Sequence, residues 1–423
     1  MTASTDHLLV DFLREGPDTG PREGLERALA ATHRVGQRPG WATTERWSLM
    51  DIVMTRTPNS RPILLLATVG LLIVLLATAV LWAGAQPPSV PEPFGLAKNG
   101  VVAYVAEGDL LVADSLGMTP RVLVPGPIVE GSSAFSRQGD RLAYVREGAG
   151  GQDLIVARSD GSDPRVLMAG FQGFGAASWS PDGTRILLGF SDNGMRKLAI
   201  VMADGSGSRV LEGTGPAEFA SWRPDGRQMT FRSQLRDGTQ GSAIYLADAD
   251  GTNIRRLDLI DPTASLGDYG AIRWSPDGTR FTYMAFSPGN DGLDWQIHVV
   301  DVDADGGVVD HPMRFVPGST REVLPAWAPD GRHIAVNVDH DGQRQIAITE
   351  PVAGAPVTFV GPTIPSALGG LGHSWSPDGR TLLVAVWPRA GEPSSWSVDV
   401  DSGAATELEG PVIDLPAWQR LAP

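Results

Sequence analysis

Trp179-Ser-Pro-Asp-Gly183 returns down the chain as Trp222-Arg-Pro-Asp-Gly226, Trp274-Ser-Pro-Asp-Gly278, Trp327-Ala-Pro-Asp-Gly331 and Trp375-Ser-Pro-Asp-Gly379. A degenerate copy, Phe135-Ser-Arg-Gln-Gly139, precedes them. Leu415-Pro-Ala-Trp418 repeats Leu324-Pro-Ala-Trp327 but stops before the turn. From Phe135 onward the copies stand 43 to 53 residues apart. A fixed period of roughly 40–50 residues marks an array of supersecondary units and suits a four-stranded propeller blade.

The phrase is turn chemistry. Pro presets φ for the first corner of a type I turn, Asp suits the second, and Gly accepts the left-handed conformation that follows. Strand-like runs flank it, as in Ala176-Ala-Ser-Trp179 and Arg185-Ile-Leu-Leu-Gly-Phe190. Two further strands complete each unit, for example Lys197–Met202 and Ser208–Leu211 around the turn Ala203-Asp-Gly-Ser206. The Trp is expected to wedge between neighbouring blades as a large apolar side chain.

Trp-Ser-Pro-Asp-Gly, then an apolar strand ending in Asp-x-Asp-Gly, then Arg-x-Leu, resembles the WD40-like propeller repeats of the TolB type. The same repeats occur in the propeller domains of prolyl oligopeptidases. The resemblance covers Asn99 to the C-terminus and implies an all-β propeller, six-bladed in TolB itself. It implies little about ligand, because a fold does not set a function.

Blade counting gives a different number here. First strands at 135, 179, 222, 274, 327, 375 and 418 total seven. Residues 101–124 supply three strands without a first one, and the C-terminal copy supplies a first strand alone. Pairing of the two ends would close the ring and remove its exposed edges. The expectation is a seven-bladed propeller closed by N- and C-terminal strands.

Before the repeats, Ile63 to Gly84 carries no charge and is rich in Leu, Val, Ile and Ala. About 20 such residues suffice for one helix across a bilayer. Trp82 sits at one end, and Arg46, Arg56 and Arg61 flank the other. The positive-inside rule puts the N-terminus in the cytoplasm and the propeller outside. The expected organisation is a cytoplasmic helical segment at 1–61, a transmembrane helix at 62–84, a Pro-rich linker at 85–98 and an extracytoplasmic propeller at 99–423. The linker string Gln86-Pro-Pro-Ser-Val-Pro-Glu-Pro93 favours an extended spacer.

Residues 1–61 read either as a small helical adaptor for a cytoplasmic partner or as an amphipathic leader on the inner membrane surface. The layout is similar to membrane anti-sigma factors, without the His/Cys zinc motif common in that family. It keeps open a second function, a transmembrane signalling protein with the propeller as sensor.

Composition narrows the chemistry. The 423 residues include no Cys, so disulfides and thiolate sites are excluded. The net charge of −15 argues against nonspecific binding to nucleic acid. No nucleophile elbow, P-loop, dinucleotide fingerprint or His-Glu-x-x-His string is present. Asp301-Val-Asp-Ala-Asp-Gly306 opens like a calcium loop, but Pro312 stands where the closing Glu belongs. It falls where other units place a hairpin turn, so no metal or other cofactor is expected. These absences lead to the expectation of no enzyme. An envelope hydrolase or lyase is the lesser alternative.

A recognition or scaffold module for a protein, peptide or envelope polymer is the leading reading. Its site is expected on the face opposite the Pro-Asp-Gly turns, where loops do not repeat. The candidates there are Glu218, Asp268, Tyr269, Arg273, Arg321, Glu322, His373 and Asp414. The long loops Phe286–Trp295 and Trp387–Trp396 add aromatic anchors.

Overall fold

The computed structural model describes residues 69–70 and 95–422, apart from 115–118, 130–131, 174–176, 235–241, 260–264, 267–271, 290–291, 367–368 and 390. The expected cytoplasmic helices and almost all of the expected membrane span lie outside these residues. Val69 and Gly70 are helical. Among the described residues no helix is long and apolar enough to cross a membrane. Residues 88–423 form one compact unit.

That unit is an all-β propeller. Sheet I pairs Ala417–Leu421, Lys98–Ala106, Asp109–Ala113 and Arg121–Val124 in that order. The two incomplete ends of the repeat region therefore complete one sheet. Val102 faces Trp418 and Ala103 faces Ala417 across the closure. Sheet II is eight-stranded and runs from Ala134–Phe135 to Ser208–Val210. Sheets III (Ala217–Trp222 through Arg255–Arg256), V (Arg321–Trp327 through Thr358–Pro365) and VI (Gly369–Trp375 through Ala405–Leu408) have four strands each. Sheet IV, from Ser265–Leu266 to Val308–Met313, has five.

The expectation of seven separate blades is thus corrected. The described strands make five separate blades and one continuous eight-stranded sheet. The cause is an overrun of the strand Arg165–Gly173. Past two register shifts, its Gln172 and Gly173 pair with Ser191 and Phe190 of the next unit.

The repeated phrase builds the inner ring. In every complete copy the turn Gly donates its N–H to the carbonyl three residues earlier, as Gly183 does to Ser180 at 2.9 Å. The turn glycines, Gly139 included, have φ between 68° and 75°, which only Gly adopts without cost. Each Trp donates its indole N–H to the preceding unit: Trp179 to Ala134 O (2.9 Å), Trp222 to Ser178 O (3.1 Å), Trp274 to Thr230 Oγ1 (3.0 Å), Trp327 to Arg273 O (3.1 Å) and Trp375 to Ala326 O (3.1 Å). Arg185, Arg223 and Arg280 lie over the rings of Trp222, Trp274 and Trp327 at 4.7, 5.4 and 4.9 Å.

The core fills the spaces between adjacent sheets. Leu187, Leu198 and Ile200 of sheet II meet Trp222, Met229 and Phe231 of sheet III. Val102 and Tyr104 of sheet I meet Leu383 of sheet VI. Alternation along each strand sends apolar side chains to both blade faces.

Candidate functional site

The expected site residues separate into three groups. Glu322 is only 1% exposed, and its carboxylate accepts from Phe315 N (2.9 Å), Val316 N (2.8 Å) and Ser319 Oγ (2.8 Å). It holds the connection between sheets IV and V rather than facing a ligand. Glu218 accepts from Arg232 Nε at 2.7 Å and also pairs with Arg196. Arg321 stacks over Trp295 at 5.4 Å, so one long-loop aromatic is anchored to an innermost strand. Asp268 and Tyr269 lie outside the described residues.

Arg273 and His373 start from sheets IV and VI, which do not pair, and the Arg273 charge contributes to the lowered pKa of His373. His373 Nε2 meets Ala335 O at 3.2 Å, while its buried Nδ1 has no hydrogen-bond partner among the described residues. Burial, aided by the Arg273 charge and opposed by the Ala335 contact, lowers its pKa to about 4. The imidazole is therefore neutral at pH 7. Arg273 is solvent-exposed yet surrounded by protein, and that crowding lowers its pKa. Beside His373, Asp414 Oδ1 accepts from Leu415 N at 3.0 Å and stands where a Cβ on Gly372 would come within 3.4 Å.

Sequence reasoning missed two further arginines. Burial, then the charges of Arg420 and Arg273, lower the pKa of Arg137 to about 10. Burial lowers Arg420 as well. Both stand where the other copies carry Pro: Phe135-Ser-Arg137 and Trp418-Gln-Arg420 against Trp179-Ser-Pro181. Their segments touch, with Gln419 Nε2 donating to Gly139 O at 2.8 Å. The departures from the repeat were the available signal.

A second missed feature lies three residues before the Trp. There Phe219, Leu324 and Leu415 have φ of 53°, 58° and 43° and are 37%, 36% and 64% exposed. The corresponding residues in the other copies are Ser132, Ala176, Ala271 and Gly372. Left-handed backbone at a bulky apolar residue costs about 1–2 kcal/mol. Register shifts at Glu218/Ser221 and Val323/Ala326 mark two of the three as β-bulges. The guanidinium of Arg232 covers the Phe219 ring at 5.0 Å.

On the turn face a cavity of 690 Å³ is lined by Pro224, Pro276 and Pro329 of three successive copies, with Asp225, Arg280 and Gly95 among the others. The calcium-like string is a hairpin turn: Asp303 Oδ1 accepts from Gly307 N at 2.6 Å and Asp301 meets His311 at 3.0 Å.

Comparison with known proteins fits this geometry. An uncharacterized protein of Agrobacterium fabrum is 33% identical over 29% of this chain and 36% of its own length. The uncharacterized peptidase YuxL of Bacillus subtilis is 28% identical over 37% of this chain and 23% of its own. The chain thus spans well under half the length of either relative. A solved oligogalacturonate lyase bound to manganese superposes with a TM-score of 0.53, at 15% identity, over 70% of this chain and 84% of its own. These proteins correct the expectation of no enzyme. A lyase shares the fold and a relative is named a peptidase, so catalytic activity is compatible with this architecture. The physical reason is that a propeller scaffold leaves its channel and loops free to carry chemistry. Residues 98–271 match the TolB beta propeller domain, in agreement with the all-β propeller that the strands build.

Proposed function

We propose that this chain is a membrane-tethered recognition propeller, displayed outside the membrane, that holds a protein, peptide or envelope polymer on its loop face. One observation carries the reading. Phe219, Leu324 and Leu415 keep large apolar side chains in water on strained backbone at equivalent positions of three units. Blade packing gains nothing from that arrangement, whereas an apolar contact surface does. The tether rests on the uncharged run from Ile63 to Gly84 and the arginines before it. Photo-crosslinkers placed at positions 219 and 415 of the intact protein in its native membrane test this reading. It predicts one shared adduct from both positions; adducts from neither would sink it.

A second reading is favoured by His373. A neutral imidazole with an open Nδ1, acted on by the Arg273 charge, is the kind of group that acid–base catalysis uses. Lyase and hydrolase screens of the full-length protein test it. Activity that survives His373→Ala would rule out that base.

A further inference from the structure

We propose that the junction of Ala417–Leu421 with Lys98–Ala106 is a latch: the last strand detaches while the rest of the propeller stays folded, and Gln419 is its catch.

Topology sets this junction apart. In sheets III, V and VI a Pro-Asp-Gly turn joins the innermost strand to its neighbour, so the chain itself holds the pair together. In sheet I the innermost strand comes from the other end of the repeat region, and Val101 and Gln419 stand 318 residues apart. The pairing there is Lys98 with Leu421, Asn99 with Arg420, Val102 with Trp418 and Ala103 with Ala417, broken between Asn99 and Val102. In sheet VI the equivalent pairing runs unbroken from Gly369 with Pro388 to Trp375 with Leu382.

Packing is the second difference. Trp179, Trp222, Trp274 and Trp375 are buried, whereas no residue of Ala417–Leu421 is. Trp418 also lacks, among the described residues, the indole hydrogen bond that every complete copy makes. Leu415, two residues before the strand, has left-handed backbone, and detachment releases that strain.

The partner strand is fixed independently. Lys98–Ala106 pairs on its other edge with Asp109–Ala113. Ala97 N donates to Pro377 O at 2.9 Å, and Asn99 Oδ1 accepts from Asp378 N at 3.0 Å. Ala417–Leu421 is therefore the strand that leaves. Segments with little buried surface open locally, well below the free energy of global unfolding.

Gln419 holds the strand in place. Its Oε1 accepts from Val101 N at 3.2 Å and its Nε2 donates to Gly139 O at 2.8 Å. One amide thus bridges the broken stretch of the pairing to the first copy of the repeat. Gly100 makes room for it, since a Cβ there would stand 2.8 Å from Cβ of Gln419.

Release also moves Leu415, one of the three exposed apolar residues of the loop face. A partner bound there holds the latch shut by linkage. This consequence rests on the recognition reading; the opening itself does not.

Hydrogen exchange of the full-length protein in detergent, read by mass spectrometry, tests the latch. Residues 417–421 should exchange about tenfold faster than 369–375, the innermost strand of sheet VI. Gln419→Ala and Gly100→Ala should each add about fivefold at 417–421 and leave 369–375 unchanged, and the double variant should add no more than either alone. The chain has no Cys, so Ala103→Cys with Ala417→Cys, at cross-strand partners, introduces a single disulfide. Oxidation should slow 417–421 to the rate of 369–375, and reduction should restore it. Equal exchange of the two segments in the parent, or exchange at 417–421 unmoved by oxidation, would overturn the latch. Exchange raised equally throughout the propeller by Gln419→Ala would overturn the catch. Photo-crosslinkers at positions 219 and 415 test the link to the loop face. Gln419→Ala should lower the adduct from 415 about fivefold and spare that from 219. Equal loss at both, or loss at neither, would overturn that link. No adduct from either position in the parent sinks the recognition reading, and the exchange rates still decide the latch.

Discussion

The indole N–H of Trp375 donates to the carbonyl oxygen of Ala326 at 3.1 Å, tying the first strand of sheet VI to that of sheet V. The indole of each complete copy donates to the preceding unit, four times to a backbone carbonyl and at Trp274 to Thr230 Oγ1, so the Trp of the repeat is a side-to-side staple as well as an apolar wedge. Trp418 departs from the pattern, for its buried Nε1 has no hydrogen-bond partner among the described residues.

A paired comparison follows from this difference. Trp375→Phe removes a donor from the part-buried Ala326 carbonyl, at a cost of about 1 kcal/mol beyond lost packing. Trp418→Phe removes a donor that bonds nothing and should cost less. Urea unfolding of both variants gives the order; equal costs would mean that the hydrogen bond contributes nothing.

Gly278 tests the turn ring. Its φ is +70°, and a Cβ there would sit 3.3 Å from Cδ of Pro224 in the preceding copy. Gly278→Ala therefore combines left-handed strain with a crowded neighbour and should cost more than about 1 kcal/mol. Gly354, with φ of +77° and open space around its Cβ position, meets no such neighbour. Gly354→Ala should cost less in the same assay.

His373 gives the fold a pH signature. Unfolded, its imidazole takes up a proton below about 6.5; folded, only below about 4. Between those values the unfolded chain holds more protons, so stability falls as pH drops from 6.5 to 4. His373→Gln should remove this component and flatten the melting temperature across that window. An identical pH slope in parent and variant would show that His373 is not its source.

The scaffold was legible because its chemistry is local. Pro, Asp and Gly specify a turn from four consecutive residues, and the Trp staple recurs at the period of the turn. The double sheet was not legible, because the overrun at Gln172 and Gly173 is a long-range pairing without a turn residue to announce it. Among the expected site residues, the Arg273 charge acts on the buried imidazole of His373. Glu322 is a carboxylate of the same outward type that spends its oxygens on neighbouring backbone. Arg137 and Arg420 read as decay of the repeat, although burial lowers the pKa of both. The left-handed backbone of Phe219, Leu324 and Leu415 carries no mark in an apolar side chain; only alignment of the copies shows bulk where the others are small.

The recognition reading rests on those three residues, and one variant tests it most directly. Phe219→Gly, Leu324→Gly and Leu415→Gly combined in the full-length protein relieve the left-handed strain while deleting the apolar surface. Unfolding free energy should stay within about 1–2 kcal/mol of the parent, because relieved strain offsets lost contacts. Crosslinking in the native membrane should then show the loop-face adduct of the parent lost or reduced at least tenfold. The same adduct at undiminished yield from the folded triple variant would contradict the account.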